Sequence, residues 1–247
     1  MALGDWDWVE AGSGRLARRD ELMLKAQAVQ ALAMAKLSPK RADTIARIDL
    51  ETILPPDGAV SRAAEALAAE VSEPWLFNHS ARAYLWARLL LPDLRFDDEA
   101  VYVALMLHDL GLTQAFMDRS GEEVCFTRPA AREAHRLTRS MGWEERRARL
   151  VADAIALHLN VVVGSDQGAE AMMVRTGSGA DVAGLGLKAV ARPLRDAVCG
   201  RHPRLELKTR MVEALDAEAA RTPCCRIGFM YRSLGFRDRV LGAPFES

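Results

Sequence analysis

The chain has 247 residues, 50% of them hydrophobic, and a formal net charge of −1 from 33 basic and 34 acidic side chains. Such a chain can bury a substantial core as one large domain, and its balanced charge supplies no field that gathers nucleic acid or an anionic membrane, so neither is expected as a partner. Its four cysteines, Cys125, Cys199, Cys224 and Cys225, form no CxxC pair and no spaced disulfide framework, which fits a reducing, cytoplasmic setting.

Met1 to Glu10 has acidic Asp5, Asp7 and Glu10 and no basic run before an apolar core, unlike a secretory signal. Lys25, Gln27, Gln30 and Lys36 interrupt the most apolar N-terminal stretch, which excludes a membrane span there. Met1 to Arg19 lacks a period and reads as an arm whose Trp6 and Trp8 are available for docking. Asp20 predicts the cap of a helix running to about Leu37, with Leu22, Ala26, Val29, Ala33 and Leu37 on one stripe. That stripe suits core packing or the contact of a homo-oligomer. Leu54 to Gly58 is a turn cluster, Ser61 to Val71 is helical, and Pro74 interrupts. From Asn78, a candidate N-cap, HSARAYLWARLLL predicts a helix to Pro92 with His79 in its first turn and Arg82 three residues on, on the same face.

Asp97 and Asp98 open the central stretch, where AVYVALMLHDLGLT runs from Ala100 to Thr113. An almost wholly apolar helix ending in adjacent His108 and Asp109 needs a partner for those buried polar groups, most simply a metal ion. Further ligands offer themselves in His79 of FNHSARAY and Asp181 of GSGADVAGLG. Gln114 to Arg128, the longest aperiodic stretch, follows this site directly and is placed like a lid. Ala130 to Met141 and Glu144 to His158 form a helical pair around Gly142-Trp143, the second helix pointing His158 inward. Ala169 to Arg175 is helical and leads into GSGADVAGLG; Pro203 starts a helix to about Ala220, and Cys224 to Leu234 closes the chain with a short one. Gly177, Gly179, Gly184 and Gly186 fit neither GxGxxG nor a P-loop and read instead as letting helices approach around Asp181. No GxSxG elbow accompanies Ser80. Val161-Val162-Val163 is too short to build a sheet, so the expected fold is all-α.

The ordered set His79, His108-Asp109, Asp181 resembles the histidine-aspartate (HD) domain superfamily of metal-dependent hydrolases. PWLFNHSARAY, LMLHDLGLT, DAIALHLN and GADVAGLG look most like its cyanamide hydratase-like branch, over roughly Leu54 to Gly186. The resemblance implies an HD-domain helical bundle at 54–220, with an N-terminal arm and helix at 1–53 and a C-terminal helix and tail at 221–247. It implies one divalent transition metal held by His79, His108, Asp109 and Asp181. His158 would transfer protons together with Asp109 at the catalytic centre, and Phe126 would line the pocket. Arg82 is within reach of a substrate anion or of the Asp109 carboxylate. His135, among Arg132, Glu133, Arg136 and Arg139, reads as a surface residue, which argues against a second metal.

Two imidazoles and two carboxylates neutralise a divalent ion and leave positions open, and the ion lowers the pKa of bound water toward roughly 7. Zinc, iron and manganese suit such mixed ligands equally. The expected function is hydration or hydrolysis of a small nitrogenous molecule, nitrile to amide or urea. The alternatives are an HD-type nucleotide or phosphomonoester hydrolase, for which Arg82 and Arg128 would be the anion clamp, and a noncatalytic metal-binding helical protein. Leu112-Thr113 stands where many HD phosphohydrolases carry lysine, which weakens the phosphate reading.

Overall fold

The computed structural model describes residues 2–37 and 48–245. Among them it contains twelve α-helices and no strand. They are α1 (Trp6–Gly12), α2 (Arg18–Leu37), α3 (Ala59–Val71), α4 (Pro74–Leu90), α5 (Asp98–Leu107), α6 (Thr127–Ser140), α7 (Glu145–Leu157), α8 (Ala169–Ala183), α9 (Arg192–Arg201), α10 (Leu207–Arg221), α11 (Arg226–Leu234) and α12 (Phe236–Leu241). The all-α expectation therefore holds, and no described helix is long and apolar enough to cross a membrane.

Helices α4, α5, α7 and α8 form the centre. Helix α5 starts where Asp97 accepts a hydrogen bond from the Ala100 amide, and every residue from Ala100 to Leu107 is buried. It has no polar face because helices lie on all its sides. Helices α4 and α8 pack most closely along their length. Gly177 permits this, since a Cβ there would stand 2.1 Å from the carbonyl oxygen of Ala83. Gly177 and Gly179 thus lie inside one continuous helix that Gly184 caps, where tertiary packing outweighs their poor intrinsic propensity, and Gly186 lies beyond it.

Several boundaries differ from the sequence reading. Pro74 begins α4 instead of interrupting, because a proline in the first turn forfeits no helical hydrogen bond. Asn78 is consequently not an N-cap; it lies inside α4 and donates to the Pro203 carbonyl at 2.9 Å. The stripe on α2 does not face the core: Leu22 and Val29 are 68% and 69% exposed, and among its described side chains Leu24 is the buried apolar one. The side chains of Ala33 and Leu37 lie outside the described residues. Trp6 docks, its amide donating to Asp153 Oδ1 at 2.9 Å and its ring lying 4.4 Å from that of His135. The end of the segment after Thr113 is a wall, with Val124, Cys125 and Phe126 buried and the Cys125 amide donating to the Ser13 carbonyl at 2.9 Å.

Candidate metal centre

The site is assembled from ends and middles of the four central helices. His79 lies in the second turn of α4, His108 caps the C-terminus of α5 with Asp109 next, His158 caps α7 in the same manner, and Asp181 lies in α8. All five are buried, from 0% exposed for His79 to 7% for His158.

Each histidine is oriented through Nδ1. His108 donates from Nδ1 to the Leu105 carbonyl at 2.7 Å, and His158 donates likewise to the Ile155 carbonyl at 2.7 Å. His79 donates from Nδ1 to Asp181 Oδ2 at 2.8 Å. These acceptors fix the tautomers, leaving the Nε2 lone pairs bare. His79 Nε2 and His108 Nε2 stand 3.1 Å apart, with Asp109 Oδ2 at 3.4 Å and 3.3 Å from them. Three electron-rich atoms pointed at one place repel one another unless a cation or proton lies between them, which is the donor arrangement of a metal site. His158 Nε2 stands outside this trio, 3.7 Å from Asp109 Oδ1.

The structure does not bring Asp181 into that trio. Its carboxylate sits on the far nitrogen of the His79 ring and accepts from Arg82 Nε and Nη2 at 2.8 and 2.9 Å, Trp86 Nε1 at 2.8 Å and Arg204 Nη1 at 3.1 Å. His79, Arg82 and Trp86 follow one another along a single face of α4, so this helix grips Asp181 with three side chains. With both oxygens occupied, Asp181 is placed to orient the first histidine and stands apart from the trio, whereas the expectation set it among the ligands. The expectation for Arg82 changes too. It is fully buried on Asp181 and on the carbonyls of His202 and Pro203 at 2.8 and 2.9 Å, and lies neither on Asp109 nor on the cavity beside the trio.

The titration behaviour follows from this geometry. Burial opposes the charge on His79, but hydrogen bonds and charges of Asp109 and Asp181 overcome it and raise its pKa. Burial also resists ionisation of Asp109, yet its electrostatic interaction with His108 and the hydrogen bond from His79 hold its carboxyl well below the usual range. Asp181 is likewise held below the usual range, against its burial, by Arg82 and His79. Burial lowers the pKa of His108. Burial, reinforced by the neighbouring His108, lowers that of His158 to about 3, so His158 is neutral at physiological pH.

A cavity of roughly 60 Å³ adjoins the trio, walled by Phe126, Leu159, Val182, Met211 and Leu215, with His158 and Arg175 also on its lining. At about 10–15 Å³ per water-sized occupant it has room for about four to six such groups. Phe126 is 1% exposed and its ring lies 5.7 Å from that of His158. His135 is elsewhere, paired with Glu145 at 3.1 Å. Arg128 is directed to Ser13 at 3.1 Å and Glu10 at 3.5 Å. Sequence reasoning missed Trp86, Arg204 and Arg175. Trp86 is the most legible of these, since it falls one turn beyond Arg82 on the same helix.

Residues 76–198 match the family model described as HD domain, a span running from α4 into α9. A search of curated proteins returns no match. Members of the HD superfamily are generally metal-dependent hydrolases, and HD domains bind divalent metals.

Proposed function

From an HD domain over residues 76–198, we propose a metal-dependent enzyme that hydrates or hydrolyses a small nitrogenous molecule, in the manner of the cyanamide hydratase-like branch. The observation that carries this reading is the trio of His79 Nε2, His108 Nε2 and Asp109 Oδ2 set against a small, largely apolar cavity. These three residues would hold the ion, with zinc, iron and manganese equally suited to the donors. A divalent ion there would acidify a bound water and polarise an electrophilic carbon.

The chain's own residues supply the rest. Asp181 fixes the His79 ring, and Leu105 and Ile155 fix those of His108 and His158 through their carbonyls. His158, which donates from Nδ1 to the Ile155 carbonyl and has its Nε2 3.7 Å from Asp109, is the imidazole placed to accept a proton on Nε2 from the nucleophilic water. Phe126 and its apolar neighbours exclude bulk water and leave space for a substrate of only a few heavy atoms.

That volume favours a small molecule over a nucleotide, and the two arginines on which the phosphate reading rests, Arg82 and Arg128, are engaged elsewhere. A purely structural metal is disfavoured because structural sites are closed by four ligands, whereas three protein donors here adjoin a cavity. The test is turnover by the metal-loaded protein of cyanamide, other small nitriles, short amides and nucleoside monophosphates. Release of urea, amide, acid or ammonia from the small substrates supports the reading; phosphate release alone overturns it.

A further inference from the structure

Among the described residues the cavity beside the trio has one lysine or arginine on its lining, Arg175 of α8. Its Nε donates to the Asn160 carbonyl at 2.6 Å and its Nη2 to the Val161 carbonyl at 2.9 Å. These bonds hold the guanidinium by its Nε–Nη2 edge without supplying a countercharge. Nη1 has no hydrogen-bond partner among the described residues, and the charge that bears on the group is another cation, Arg239. Gly179 makes the room for Nη1: a Cβ at that position would stand 2.4 Å from it. Arg175 and Gly179 both line the cavity that reaches His79, His108 and Asp109.

The surroundings carry the same sign. A larger groove of about 700 Å³ shares Arg175, Leu185, Met230 and Phe236 with the cavity and so forms its approach from outside. Lys25 and Arg239 also line this groove, and among the described residues no aspartate or glutamate does. The remaining walls are chiefly aliphatic or aromatic. An anion travelling this route meets the cations Lys25 and Arg239 and ends beside a fixed guanidinium in a confined apolar space, where charge-assisted hydrogen bonds are strongest.

We propose that Arg175 is the anion-recognising residue of the active site and that the substrate is a small organic acid, with its reacting carbon–nitrogen group toward His79, His108 and Asp109 and its carboxylate on Arg175 Nη1. This rests on the reading of the trio as a hydrolytic metal centre and narrows its substrate class. One free guanidinium nitrogen matches a monoanion, whereas a phosphate dianion needs several converging donors, and the short apolar wall suits a hydrocarbon body of a few carbons. Burial followed by the nearby charge of Arg239 lowers the Arg175 pKa to about 10, so the group remains charged at neutral pH and available to the anion.

The test uses binding to the full chain, both as metal-loaded protein and after chelation. Propionate, its neutral isostere propionamide, and inorganic phosphate are titrated separately and followed by protein chemical-shift changes. Propionate is expected to bind at least about tenfold more tightly than propionamide in both forms of the protein. Arg175→Met should abolish that preference, Arg175→Lys should keep part of it, and Gly179→Ala should weaken it by displacing Nη1, with metal content unchanged in all three. Because losing Arg175 also frees two backbone carbonyls, Gly179→Ala decides the matter if Arg175→Met does not fold. Equal affinity for propionate and propionamide in the chelated parent overturns the proposal, as does a preference that survives both Arg175→Met and Gly179→Ala, or Arg175-dependent phosphate binding tighter than that of propionate. Failure to bind a metal would instead overturn the hydrolytic reading, and the chelated titration judges Arg175 separately.

Discussion

Replacing Asp181 by asparagine separates a residue that orients a ligand from one that is a ligand. In the folded protein five nitrogen donors, from His79, Arg82 (twice), Trp86 and Arg204, converge on this one carboxylate. Asp181 and Arg82 are both 0% exposed and Arg204 is 8% exposed. Asparagine fits the space but presents an NH2 group to donors and leaves two guanidinium groups without their countercharge. Breaking a buried ion pair from one side costs about 3–5 kcal/mol. For a domain of this size that corresponds to a fall in Tm of about 6–20 °C, a large part of a total stability of roughly 5–15 kcal/mol. The metal donors stay in place, so affinity for the ion should weaken only by about ten- to a hundredfold. The assay is thermal unfolding in the presence of chelator, which removes stabilisation by the ion itself, alongside metal content after dialysis against a known free-metal concentration. Asp109→Asn should do the opposite, losing the metal while the chelated protein keeps most of its stability, because no arginine depends on Asp109. An Asp181→Asn protein that melts with the parent under chelator yet cannot hold metal would refute this division of labour and return Asp181 to the ligands.

Other consequences follow from the same geometry. His158→Gln should retain the metal and lose about a hundredfold or more in kcat, as expected for removal of a general base; unchanged turnover would make His158 structural. Because Asp109 and Asp181 raise the pKa of His79, a proton occupies the centre of the metal-free protein as pH falls. Metal uptake should therefore release protons and weaken as pH drops through that raised pKa, as calorimetry in buffers of different ionisation enthalpy would detect. Away from the site, Arg147 binds Asp97 at 2.6 and 2.8 Å and lowers its pKa. Arg147→Met should cost about 1 kcal/mol at neutral pH, by urea unfolding, given that both side chains are about one-third exposed. Since the folded pKa lies below the unfolded 3.8, the electrostatic part of this loss is present above 3.8 and disappears as pH falls through the lower, folded value; a difference independent of pH would assign it to the stacking of Arg147 on Trp143.

The parts of the site legible in the sequence were those set by local pattern. Ala100 to Leu107 is apolar on every side and ends in His108-Asp109, so burial of that pair followed from one stretch of chain. The same held for His158 at the end of an apolar helix. What pattern could not give was the direction of long side chains across helices. Arg82 lay on the expected face of α4, but its choice of Asp181 over Asp109 is set by the packing of α4 on α8, which turns on Gly177 meeting the Ala83 carbonyl. The same glycines read as an end to the helix at Arg175, which hid the fact that Arg175 and Asp181 share one helix and serve the two ends of one site. On α2 the spacing was helical and the helix is there, yet the helical period alone did not say which side faces the body, and Leu24 is buried in place of Leu22 and Val29.

The central claim, that His79, His108 and Asp109 hold one divalent ion, is tested most directly by elemental analysis of purified protein after dialysis against metal-free buffer. One transition-metal ion per chain is expected in the parent and in His135→Ala, and almost none in His79→Ala, His108→Ala or Asp109→Ala, each confirmed as folded by circular dichroism. A parent that retains no ion when supplied with zinc, iron(II) and manganese in turn, or a His108→Ala protein that keeps a full equivalent, would contradict it.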